Sequence, residues 1–105
     1  MAMLQIEIIT QIERNQAITM IKDGITSSGG WITDHQLFSN HAASLSFELP
    51  HSAIELLLSR LIEAGLNPNV IGKLPKKTNS DIKGGVALSF IHNEPDMKRD
   101  VPPFG

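Results

Sequence analysis

Four histidines, at positions 35, 41, 51 and 92, are the residues of this chain best suited to acid–base or metal chemistry. Asp34 and Glu48 are the carboxylates nearest to them in the pattern. A metal site needs several such groups to converge, and spacings such as HxH, HxxxH or HExxH write that convergence into the sequence. None of these spacings occurs here. Surface or strand-end histidines are therefore the favoured reading, and neither a metal nor a cofactor is expected.

His35 could instead act as a base toward Ser44 or Ser46, with Glu48 further along. Nucleophilic catalysis of that kind needs an acid to orient the base and donors for an oxyanion. Neither is indicated, and an open sheet face does not exclude water. A small enzyme using His35 with Ser44, Ser46 or Glu48 is thus the alternative expectation, behind a non-catalytic module. Gly29-Gly30 and Gly84-Gly85 could also present backbone N–H groups to an anion, the second pair following Lys73, Lys76, Lys77 and Lys83. Both pairs precede strands rather than helices, the wrong order for a P-loop or GxGxxG motif, so turn formation is the simpler role.

The elements that must position these residues follow from periodicity. "MLQIEIIT" alternates Leu4, Ile6 and Ile8 with Gln5 and Glu7, the pattern of a half-buried strand. Thr10 and Glu13 have capping-box spacing and predict a helix start, after which Ala17, Ile18, Ile21, Gly24 and Ile25 share one face. Gly24 would let that face approach a sheet closely. Ser27-Ser28-Gly29-Gly30 predicts the helix end, where glycine takes the left-handed conformation. "WITDHQLF" and "HAASLSFELP" read as a hairpin about a two-residue Ser39-Asn40 turn. Ser52 and Glu55 repeat the capping-box spacing before the stripe Ile54, Leu57, Leu58 and Leu61, which ends at Gly65 and Pro68. "VIGKL" is either an extended arm or a fifth strand pairing with the last one, "VALSFIH", which follows Gly84-Gly85.

This order predicts an α+β ferredoxin-like βαββαβ sandwich: an antiparallel four-stranded sheet with two helices on one face. The first and third strands take the centre. Residues 1–95 form the single domain, and residues 96–105, charged and proline-rich, a flexible C-terminal tail. A two-residue turn sets Phe38 opposite His41, Ile32 opposite Phe47 and His35 opposite Ser44. The core face then collects Ile32, Phe38, Ala43, Leu45, Phe47 and Leu49. The face without helices carries the ligand or interface candidates Trp31, Thr33, His35, Ser44, Ser46, Glu48, Ser89 and Ile91, beside Gln5, Glu7, Leu37 and Ala87. Its centre is small and polar and its flanks are apolar, a composition that invites a partner.

Composition narrows the function classes. The 105 residues carry 9 basic and 11 acidic side chains, for a net charge of −2, with one Trp, four Phe and no Tyr. Nucleic-acid binding draws on a basic surface and stacking aromatics, so nucleic acid is not an expected partner. No cysteine is present, which excludes disulfides and thiolate chemistry. No apolar run reaches the roughly 20 residues of a membrane helix, so no membrane partner is expected and a cytoplasmic location is.

The βαββαβ order, the small size and the exit from the second helix, "LIEAGLNPNVIG", resemble an ACT-type regulatory domain over roughly residues 3–93. The resemblance implies a regulatory or interaction module that dimerises and binds amino acids or similar small polar ligands near a subunit interface. A homodimer is thus the expected partner, with a small polar ligand or another protein beside it. In that family the ligand often lies by a glycine-bearing turn after the first strand. Here the turn is Thr10-Gln11-Ile12-Glu13, without glycine.

Overall fold

A computed structural model describes residues 3–91. The tail expected at 96–105, and His92, lie outside the described residues. The chain order is β1 (Met3–Thr10), α1 (Arg14–Ser27), β2 (Trp31–Leu37), β3 (Ala42–Pro50), α2 (Ile54–Glu63), β4 (Asn69–Ile71) and β5 (Asp81–Phe90). A short 3₁₀ turn, His51–Ala53, joins β3 to α2. The α+β class holds, but the four-stranded antiparallel sheet does not. Five strands form one mixed sheet in the order β2-β3-β5-β1-β4.

The correction lies in the last two strands. "VIGKL" supplies β4, which pairs antiparallel with β1 rather than with the last strand. β5 lies between β3 and β1, antiparallel to the first and parallel to the second. With β5 set aside, the order would read β2-β3-β1-β4, the split arrangement the sequence predicts. The exchange has a packing reason. β5 is 10 residues long and buries Ile82, Val86, Leu88 and Phe90, whereas β4 has three residues, with only Val70 half-buried. The longer apolar strand takes the position where both of its edges are paired, and the short strand blunts the sheet edge. Gly84 and Gly85 belong to β5 rather than preceding it, and Ser89 sits on this central strand, not on an edge.

Alternation sets the two faces. Leu4, Ile6 and Ile8 of β1, Leu45, Phe47 and Leu49 of β3, and Val86, Leu88 and Phe90 of β5 are all buried in one cluster with the helices. From α1 the cluster takes the expected face of Ala17, Ile18, Ile21 and Ile25, and from α2 it takes Ile54, Leu57 and Leu61. Gly24 brings the helices together rather than α1 and the sheet. A β-carbon there would meet Leu61 Cδ2 at 3.2 Å and Leu57 Cδ1 at 3.6 Å.

Helix ends follow the sequence at their C-termini and depart from it at their N-termini. Gly29 and Gly65 both have φ of +97°. The Gly30 N–H donates to Ile25 O and the Leu66 N–H to Leu61 O, which satisfies carbonyls the last turn would otherwise leave open. At the start of α1, Glu13 rather than Thr10 is the cap, its carboxylate accepting from the N–H groups of Asn15 and Gln16. Thr10 is an all but buried strand end whose hydroxyl accepts from the Ile12 N–H, and it turns the chain toward the helix. Ser52 makes no capping hydrogen bond, because the 3₁₀ turn places it ahead of α2.

Candidate functional site: the open sheet face

The hairpin decides which side chains reach the face without helices. Ile32 pairs with Phe47 as expected, but a β-bulge follows and Asp34 pairs with Ser46. Beyond it, His35 pairs with Leu45, Gln36 with Ser44 and Leu37 with Ala43. Strand residues directly opposite each other share a face, and a one-residue slip exchanges the faces. His35 and Leu37 therefore lie on the helix side of the sheet and not, as expected, on the open side. Thr33 is the extra residue of the bulge. The connection is not the two-residue turn Ser39-Asn40 but the four residues Phe38–His41, held where the N–H groups of Phe38 and Ser39 donate to Ala42 O. Phe38, expected in the core, is 64% exposed because this loop carries it past the sheet.

The other predicted residues reach the open face. Trp31 stands opposite Glu48, Ser44 and Ser46 alternate along β3, and Ser89 lies between Ala42 and Ile9. Ile91 follows β5, its N–H donating to Thr10 O. The arrangement His35 with Ser44, Ser46 or Glu48 is not assembled, since His35 is on the opposite face from all three. Among the described residues, no three His, Cys, Asp or Glu side chains come together to hold a metal ion. No helix among them is long and apolar enough to cross a membrane.

Two rows cross the centre of this face. Ser46, Gly85 and Gln5 lie in one line, continued by Ile71, and Ser44, Ala87 and Glu7 lie in the next, continued by Asn69. The small residues make a groove of about 270 Å³, bordered by Met3 and Ile71. Gly85 matters for its depth, because a β-carbon there would stand 3.3 Å from Met3 Cε. Met3, Ile9, Trp31, Ile71 and Ile91 are each more than 40% exposed, the apolar margin of an otherwise polar surface. Met3 and Ile9 were within reach of sequence reasoning, as the ends of the β1 alternation. Ile71 was not, because its face depends on β4 pairing with β1.

A second hollow, about 470 Å³, lies where β1 turns toward α1. Thr10, Gln11 and Ile12 line it together with Gly65, Asn67 and Ile91. It mixes backbone and amide polarity with apolar walls and, among the described residues, is lined by no ionisable side chain.

No protein-family model, no curated protein and no solved structure matches this chain.

Proposed function

We propose that the chain is a non-catalytic, ACT-like regulatory or interaction module that pairs with a second copy of itself through the open sheet face. The observation that carries this is the face itself: small residues along its centre, exposed apolar side chains at its margins, and no helix over it among the described residues. Five strands at about 4.8 Å spacing and about eight residues at 3.3 Å each give a patch of roughly 24 by 26 Å. Two such patches would bury roughly 1,200 Å², the low end of specific interfaces. The module is accordingly a reversible dimer rather than an obligate one.

The hollow beside Thr10, Gln11 and Ile12 is assigned to a small polar ligand, in the region after the first strand where the ACT-type resemblance expects one. Light scattering at tens of micromolar tests the pairing, and thermal shift against a panel of amino acids tests the ligand. A dimer with at least one stabilising amino acid is the expected result. A monomer that no member of the panel stabilises would overturn the reading.

A further inference from the structure

We infer that the two copies pack open face to open face about a two-fold axis that lies between the two sheets and parallel to them, passing over β5 between Gly85 and Ala87 at right angles to the strands. The inference rests on the pairing reading above and adds its geometry. Such an axis exchanges the two central rows, so Gly85 meets the partner's Ala87 and Ser44 meets the partner's Ser46. The smallest side chains then lie at the centre, where the sheets approach most closely. Glu7 meets the partner's Gln5, an acceptor against an amide donor. In the outer rows Ile9 meets the partner's Met3, and Lys83 meets the partner's Ser89. No two like charges face one another.

The alternatives fare worse by charge. An axis running along β5 would set Lys83 against the partner's Lys83, and like charges in a desolvated contact oppose association. Edge pairing through β2 meets the bulge between Ile32 and Asp34, which interrupts the ladder a second strand would extend. Edge pairing through β4 has only three residues to offer.

The chain has no cysteine, so single introduced thiols report unambiguously. Ile9→Cys, Met3→Cys and Glu48→Cys are prepared separately and mixed in pairs with a bifunctional thiol reagent of about 10 Å reach, the spacing of packed sheets. The inferred axis predicts a cross-linked dimer from Ile9→Cys with Met3→Cys, and none from Met3→Cys with Glu48→Cys. Neither Ile9→Cys nor Met3→Cys links to itself, because positions 3 and 9 are about 20 Å apart along the strand. Linking of Met3→Cys to Glu48→Cys instead would overturn the axis while leaving the pairing intact. A monomer by light scattering, with no link in either mixture, would overturn both.

Discussion

The ring of Phe47 lies directly on Gly84 of the neighbouring strand. The two residues are paired across the β3–β5 ladder, and a β-carbon at 84 would stand 2.3 Å from Phe47 Cζ and 2.6 Å from Cε2. Glycine is needed here for space, since Phe47 is buried and its ring has nowhere else to go. Gly84 thereby leaves, on the core face of the central strand, the space that the Phe47 ring fills.

Gly84→Ala is therefore expected to destabilise the fold by about 1–3 kcal/mol, the usual penalty for overpacking a core. Urea unfolding measures it. Phe47→Leu made in the Gly84→Ala background should cost less than Phe47→Leu alone, because the two residues share one space. Additive effects would show that the ring does not rest on Gly84.

The bulge gives a second expectation. Deleting Thr33 brings Ile32–Phe47 and Asp34–Ser46 into consecutive pairing without changing the face of any other residue. The deletion variant should fold with a near-native melting temperature. Its straightened edge should also associate more readily at high concentration, since bulges protect sheet edges. An unfolded deletion variant would contradict this account of the hairpin.

How much of this was legible in the sequence depended on whether a signal was local. The strand of Leu4, Ile6 and Ile8, the buried face of α1 and the glycine ends of both helices are written in periods and single residue types. The open-face positions of Ser44, Ser46 and Glu48 came from alternation along one strand and hold. The face of His35 is not legible, because nothing in "WITDHQLF" marks Thr33 as an extra residue. The position of β5 is not legible because its insertion between β1 and β3 rests on a ladder with β3 that joins residues distant in the chain, and such pairing leaves no local trace. The spacing from Thr10 makes Glu13 the partner in a capping box, whereas it is the cap itself, a choice that the spacing does not decide.

That cap predicts a pH dependence. The Asn15 N–H, then the Gln16 N–H, hold the Glu13 carboxyl below its ordinary value of 4.5. A carboxyl lowered on folding contributes stability that is full above its unfolded value and is lost as pH falls through the folded one. The melting-temperature difference between the native chain and Glu13→Gln should therefore be largest above pH 4.5 and close as the solution is acidified. A difference that stayed constant down to about pH 2.5 would show that the carboxylate charge is not what caps α1.

The central claim is that the open sheet face is where two copies meet, and Ala87, exposed at its centre, tests this most directly. Sedimentation equilibrium of the native chain and of Ala87→Arg, across roughly 1–100 µM, is the decisive measurement. The native chain is expected to associate reversibly to a dimer. Ala87→Arg is expected to stay monomeric, with the melting temperature the native chain shows at dilutions where it too is monomeric, because its side chain stands in the interface and not in the core. A native monomer throughout that range, or an arginine variant that dimerises as well as the native chain, would contradict the account.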